Sequence, residues 1–341
     1  MEVAGLRRPI SIRRDGYGIP YIEAEGDEDG WYGLGFCHGQ DRAFQLEGLL
    51  RVVRGTLAEL VGPEGLAVDR FSRRIGLRHA AEQQWAVMDA DIRRWMAAYA
   101  RGVNDGIELG CARHPHEFAL LRSHPTPYTA IDALGAIKLM SFNMSTNWDM
   151  QLARLKILTE DGPDALRALE PHYPPDHPVT CPPTAPAGRA VDRLADDLAR
   201  FQAMVGVGGG SNSWAIDASR TATGRPILAN DPHMTPALPS HWYLAHLRTP
   251  DWAVAGASFV GVPIFAVGHN GHAAWGLTNG AADTTDLFIE ELGPDGRSVR
   301  EGKRFVPCDV RREVIAVKGA EPVEEAVLVT PRGPMIGPAL E

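Results

Sequence analysis

At 341 residues, 44% hydrophobic and 23% charged, the chain is long enough for two domains or one large one. Its formal net charge of −9, with no long basic run, argues against nucleic acid as the main partner. No stretch of about 18 apolar residues occurs, so no transmembrane helix is expected. Residues 1–8 lack the apolar segment of a secretory signal, which makes the cytoplasm the default and an exported location the alternative if the N-terminus is incomplete. Cys37, Cys111, Cys181 and Cys308 show no CxxC spacing, so a thiolate metal site is not expected.

Residues 10–23 read as paired strands, with Ile10 and Ile12, then Ile19 and Tyr21, alternating around Arg14-Asp15-Gly16-Tyr17-Gly18. Within 33–61, Phe36, Phe44, Leu46, Leu50, Val53, Leu57 and Leu60 recur mostly at helical spacings, and Gly62-Pro63 should end that helix. A second helix is expected over 80–107, where Ala81, Trp85, Met88, Ile92, Trp95, Tyr99 and Val103 step by three or four. Thr129, with Asp132 three residues on, resembles a capping box that opens a third helix through Leu134, Ile137, Met140 and Met144. Leu152, Leu155 and Leu158 continue helix to about 160.

The stretch 171–186 holds seven prolines and reads as a linker, and 190–204 could form a short amphipathic helix. From there the texture turns to strands: Ser213–Ile216, Ile227–Ala229, Trp252–Phe259, Ile264–Gly268, Ala274–Thr278, Leu287–Glu290, Val310–Val317 and Glu325–Val329. A mainly helical half therefore precedes a mainly β half.

At the junction stands Gly208-Gly209-Gly210-Ser211-Asn212-Ser213-Trp214. Glycines permit the bend by which a serine hydroxyl attacks the carbonyl before it. A Ser freed at its N-terminus carries its own base, an α-amine with a pKa near ~8. A Gly-rich linker that ends where a strand begins is the other reading of the same string. Asp283-Thr284-Thr285-Asp286 offers two carboxylates and a carbonyl suited to a hard cation such as Ca²⁺, or a solvated acidic turn.

Taken together, these strings resemble the penicillin acylase family of N-terminal nucleophile amidohydrolases. The resemblance rests on Arg14–Pro20, on Gly33–Arg42 with its His38-Gly39-Gln40-Asp41-Arg42, and on Arg54–Leu60. Downstream it rests on Gly210–Trp214, Leu228–His233, Gly268–Gly271 and Trp275–Gly280. It implies an α+β fold, the αββα sandwich of that family, here incomplete. An α-chain-like region would span 1–180, a linker or excised spacer 181–210, and the first part of a β-chain-like region 211–341. The two chains of one precursor, cut between Gly210 and Ser211, would stay together as partners. The implied activity is hydrolysis of a linear amide such as a β-lactam side chain, an N-acyl homoserine lactone or an acyl peptide.

By the same resemblance Ser211 is the nucleophile, the backbone N–H of Asn279 an oxyanion donor, and His233 a group that holds the amine or the substrate amide. Pro232, Met234, Val267 and Met144 fall at or beside acyl-pocket positions. Val267 and Ser145 stand where one branch of the family carries phenylalanines, which leans the pocket towards aliphatic acyl groups. Asp283, Thr285 and Asp286 match calcium ligands. Gln151 stands at the position of a helping glutamate, which weakens the site because an amide supplies no charge; Asp149 is a possible substitute. Two other readings stay open. The chain could be inactive, or active only with a partner segment that brings the second oxyanion donor. It could also be an unrelated Ser-His-Asp hydrolase, although no GxSxG surrounds Ser211.

Overall fold

The computed structural model describes residues 3, 5–145, 147–169, 195–197, 199–201, 203, 210–280 and 284–337. The proline-rich stretch 171–186, Cys181 and Asp283 lie outside the described residues. The fold is α+β, helical in its first half and mostly strand in its second. Among the described residues no helix is long and apolar enough to cross a membrane.

β1 (Ser11–Arg14) and β2 (Pro20–Glu23) pair antiparallel, with Ile12 opposite Ile22. The hairpin is as expected, but its phase differs by one residue: Pro20, Ile22 and Ala24 are buried and Tyr21 is exposed. α1 (Asp27–Arg54) follows, and it ends earlier than expected. Gly55 takes φ 63°, the left-handed conformation glycine adopts cheaply, and its N–H caps the carbonyls of Arg51 and Val52. α2 (Ala58–Val61) and α3 (Leu66–Ile75) form separate short pieces. The stripe expected as one helix over 80–107 is two, α4 (Leu77–Val87) and α5 (Ala90–Asp105). Met88 is extended and Asp89 caps α5 through the Asp91 N–H at 2.7 Å. Apolar periodicity runs straight through the break because both helices bury the same side, so spacing alone conceals it.

After α6 (His116–Leu120) comes α7 (Ala130–Ser145), opened by the capping box that Thr129 and Asp132 foreshadow. Asp132 accepts the Thr129 N–H at 2.8 Å, and the Thr129 hydroxyl accepts the Asp132 N–H at 3.4 Å. The same carboxylate, itself fully buried, is gripped by Arg54 at 2.7 and 2.6 Å. Asp132→Ala would unmake the cap and leave the Arg54 cation largely buried without its anion, so it is expected to cost about 3–5 kcal/mol. Asp132→Asn, which keeps one acceptor, should cost less. Urea unfolding checks both. α8 (Trp148–Glu160) and α9 (Pro163–Leu169) complete the helical half. Of the helix expected over 190–204, only 195–197, 199–201 and 203 are described; there Phe201 is fully buried 4.8 Å from the ring of Phe71.

The strands are β3 (Gly210–Ile216), β4 (Ile227–His233), β5 (Trp242–Arg248), β6 (Ala253–Phe259), β7 (Phe265–His269) and β8 (Ala274–Trp275). Then follow β9 (Ser298–Glu301), β10 (Arg304–Pro307), β11 (Asp309–Ile315), β12 (Val323–Thr330) and β13 (Gly333–Pro334). Four of these, β5, β9, β10 and β13, were not anticipated, and the strand expected over Leu287–Glu290 does not form. One sheet runs in the order β1-β2-β5-β6-β7-β8. It joins the two halves of the chain, because β2 pairs parallel to β5 with Ile22 opposite Leu247. On it lies a helical layer. Leu34 and Leu46 of α1, Tyr99 and Val103 of α5, and Leu134 of α7 share one core with Ile22, Tyr243 and Leu247.

The β11–β12 sheet docks on α2 and α3 through an apolar cluster of Ala58, Leu66, Ile315 and Val323, and through ions. Arg70 and Arg74 meet Glu325 at 2.5 and 3.1 Å, and Arg73 meets Glu313 at 2.9 Å.

Candidate active site

β3 and β4 form an antiparallel pair in which Ser211 lies opposite Pro232 and Gly210 opposite His233. Side chains alternate across a strand. Ser211, Pro232 and Asn230 therefore share one face, and all three are half-buried; Asp231 and His233 stand on the other face and are exposed. The Ser211 hydroxyl donates to the carbonyl oxygen of Gly210 at 2.6 Å, so it rests on the peptide unit that joins it to the preceding chain. His233 flanks the same unit from across the strand pair. A Cβ placed on Gly210 would lie 3.9 Å from His233 Nδ1. Its Nε2 is held by Asp231 at 2.8 Å. Ser211 and His233 thus belong to opposite faces, which is the wrong arrangement for a Ser-His-Asp triad, where the imidazole must reach the hydroxyl.

A clasp that the sequence reading did not single out fixes this corner. The Asn230 amide donates to the carbonyls of Asn212 and Leu277, both at 2.8 Å, and its oxygen accepts the Leu277 N–H at 3.0 Å. The Thr278 hydroxyl donates to the Ser211 carbonyl at 3.0 Å. Asn279, the residue after Thr278, is thereby tethered one position from a direct contact with Ser211. Gly276 belongs to the clasp as well, since a Cβ there would sit 2.8 Å from the Asn230 side chain. Asn-Asp-Pro-His and Trp-Gly-Leu-Thr-Asn look like two separate turns in sequence; their joint role needs the crossing to be seen.

Pro232 and Val267 line one open groove of about 1010 Å³, together with Trp242, Arg14, Asp41 and Arg42. Trp242 stacks on Phe259 at 4.2 Å. Met234 is turned instead into the packing of Phe259, Val262 and Ala266. Met144, at the last turn of α7, is 47% exposed and does not line that groove. Within the groove wall, Arg14 pairs with Asp41 at 2.8 Å and the Tyr243 hydroxyl donates to the same carboxylate at 2.5 Å. Burial pushes the Cys37 thiol beside them up to about 12, so it stays protonated and unreactive at neutral pH.

Gln151, Thr285 and Asp286 come together from α8 and the segment after residue 284. The Gln151 amide nitrogen donates to the Thr285 carbonyl at 3.1 Å, to Asp286 Oδ1 at 3.4 Å and to Asn147 Oδ1 at 2.8 Å. Its oxygen accepts the Leu287 N–H at 3.1 Å. Calcium needs a cage of oxygens. Here an N–H₂ faces the oxygens that would bind the ion, so the described residues, as they are arranged, do not fit it. Among the described residues no cluster of three or more His, Cys, Asp or Glu could hold a metal. Because the Gln151 amide nitrogen faces the Thr285 and Asp286 oxygens, calcium or EDTA is expected to leave the thermal midpoint of this chain unmoved, while Gln151→Glu should make it rise with calcium. Calorimetry reads both; a calcium-raised midpoint in the parent would count against this account.

The sequence profile described as penicillin amidase matches residues 9–340. The chain is 35% identical to the penicillin acylase 2 proenzyme of Pseudomonas sp. (strain SE83), over 98% of this chain and 44% of that protein. It is 33% identical to the acyl-homoserine lactone acylase QuiP of Pseudomonas aeruginosa, over 99% of this chain and 41% of that protein. The chain thus spans less than half the length of these relatives. A solved penicillin G acylase from Alcaligenes faecalis is 28% identical and superposes at a TM-score of 0.43, covering 53% of this chain and 98% of that one, too loosely to bear on the argument.

Proposed function

The chain belongs to the penicillin amidase family, and from that premise we propose that it carries the self-exposed serine nucleophile of an amidohydrolase. One observation carries the reading: the Ser211 hydroxyl already rests on the Gly210 peptide unit, within a strand pair that clasps both sides of it. In the first step Ser211 Oγ bonds to the Gly210 carbonyl carbon as the Gly210–Ser211 C–N bond breaks, and the Ser211 nitrogen takes up the hydroxyl proton. Water then hydrolyses the resulting ester. Gly210 leaves as a carboxylate and Ser211 keeps both its hydroxyl and a free α-amine.

The same hydroxyl next attacks the carbonyl of a substrate amide. The α-amine accepts its proton, directly or through one water, and hands it to the departing amine. The Asn279 N–H supports the developing oxyanion, a kind of contact whose loss typically costs ~10²–10³ in rate. His233, across the strand pair from Gly210, orients the amine rather than activating the hydroxyl. The acyl group lies against Pro232 and Val267 in the groove. The substrate is a linear carboxylic amide of the kind named for the relatives, an N-acyl homoserine lactone or the side-chain amide of a penicillin. No step runs through calcium.

A second reading is favoured by a specific feature. Trp214 is 66% exposed, and Ile216, Ile227 and Leu228 are exposed beside it on β3 and β4. A partner segment covering that pair would complete the site, and turnover would then require it. The experiment that tests the main reading is end-group chemistry on the processed protein, with its partner segment present. Acetylation of the new Ser211 amine should abolish amide hydrolysis, because the base is lost. Full activity after acetylation would assign the chemistry to another base.

A further inference from the structure

Residues 195–203 stand just upstream of Ser211, inside the stretch 181–210 that the family resemblance assigns to a linker or excised spacer. Residues 195–197, 199–201 and 203 are nonetheless helical. Phe201 is fully buried, and its ring lies 4.8 Å from that of Phe71 on α3 and 6.0 Å from that of Phe142 on α7. Phe142 in turn meets Trp148 of α8 edge-on at 4.9 Å. Phe201 thus belongs to the cluster in which α1, α3, α7 and α8 come together through Val53, Phe71, Leu139, Trp148 and Leu152.

The same segment is tied to the half of the chain that follows Ser211. Arg74 of α3 pairs with Asp197 at 3.8 Å and with Glu325 of β12 at 3.1 Å, and donates to the Ile336 carbonyl at 3.5 Å. Leu287 and Ile336 pack against the Phe201 cluster. Helices from before the junction, the segment itself and residues from after it therefore share one core. A peptide that leaves on maturation has to come away from what it touches. Withdrawing a buried aromatic ring forfeits its transfer free energy and opens a cavity among the rings it packed against. Backbone cleavage also favours exposed loop tips, which a docked helical residue does not offer.

We propose that residues 195–203 are not spacer but a strut kept on the upstream piece, anchored by Phe201. The upstream and downstream pieces then stay joined through this core after the bond before Ser211 breaks, and any peptide lost on maturation comes from 204–210. Retention after the cut rests on the reading of Ser211 given above. The docking of Phe201 does not, which allows a separate test.

Docking is tested on the uncut full chain carrying Ser211→Ala. Trypsin cleaves after arginine, and the Arg200 side chain is exposed beside Phe201. Each rate of cleavage after Arg200 is normalised to that of a free peptide of the same residues. Phe201→Ala is expected to raise the normalised rate at least roughly tenfold, because proteolysis tracks the population of the opened segment. Phe201→Leu, which still fills most of the site, should stay near the parent. Equal normalised rates in a folded Phe201→Ala chain would overturn the docking. If Phe201→Ala fails to fold, protection of the parent bond relative to the free peptide decides, and its absence overturns the proposal. Retention is read by mass spectrometry of the upstream piece from the self-cut parent, in a protein long enough to include any partner segment. Its C-terminus is expected at or beyond Ala203, and an end before Ala203 overturns the proposal. A parent that does not cut itself fails the reading of Ser211 and retention with it, while the trypsin result still decides the docking.

Discussion

Changing Ser211 to alanine is expected to leave one uncut chain, where the parent gives two pieces separating at Gly210-Ser211. A denaturing gel shows the difference, and N-terminal sequencing of the smaller piece should begin Ser-Asn-Ser-Trp. The effect is all-or-none because the hydroxyl is the attacking atom, and nothing else described in β3 can replace it at the Gly210 carbonyl. Ser211→Cys should still cut, since a thiol is a competent nucleophile. Asn230→Ala should cut slowly, since the clasp that holds β3 against residues 277–278 is lost while the nucleophile remains. An uncut parent with a native fold, in a protein long enough to include any partner segment, would remove Ser211 from its role.

Gly102→Ala, or Gly39→Ala, is expected to prevent the helical layer from assembling, at a cost above about 3 kcal/mol, the upper range of ordinary overpacking. α1 touches α5 and the turn that follows it, backbone to backbone, through four glycines. A Cβ on Gly35 would lie 2.1 Å from the Tyr99 carbonyl oxygen, and one on Gly39 2.1 Å from that of Val103. From the other side, Gly102 would meet the Tyr32 carbonyl at 2.1 Å and Gly106 that of Phe36 at 2.2 Å. These are backbone atoms, so no rotamer change relieves them and the helices must part. Alanine's better helix propensity returns only about 1 kcal/mol. Gly48 is the control: it lies in α1 with nothing within 4 Å of its Cβ direction. Gly48→Ala should stabilise the chain by about 0.5–1 kcal/mol. Denaturant midpoints of the three variants separate propensity from packing.

Several elements were legible because they depend on neighbours in sequence. The capping box at Thr129 and Asp132 is local, and so is the alternation that marks β3, β6 and β12. Others were hidden for physical reasons. β5 (Trp242–Arg248) alternates, with Tyr243, Ala245 and Leu247 buried, and Pro239 and Pro250 frame it, so the strand itself was readable; what local sequence hid is its neighbour. Its place in the sheet comes from pairing with β2, more than two hundred residues earlier. The break at Met88-Asp89 was masked by a stripe that both helices share.

The candidate site divides in the same way. The Gly-Ser junction, the Asn-Asp-Pro-His string and the Thr-Asn-Gly string are visible as residues, and their resemblance to one family follows from order and spacing along the chain. The four glycines where α1 meets α5 and the turn after it were visible only as letters in motifs or as interruptions in a helix.

Local pattern, then, determined the helical-then-β order and the place of the candidate nucleophile, and the motifs carried the resemblance to the family. Tertiary structure alone decided which residues face one another. It placed Ser211 with Pro232 and away from His233, turned Met234 into the core, faced the Gln151 amide towards the expected calcium ligands, and buried Phe201 against Phe71. The reason is range. Propensity, capping and turn chemistry act over a few residues, whereas strand register, helix contact distance and the pairing of charges are settled by segments that meet only after the chain has folded.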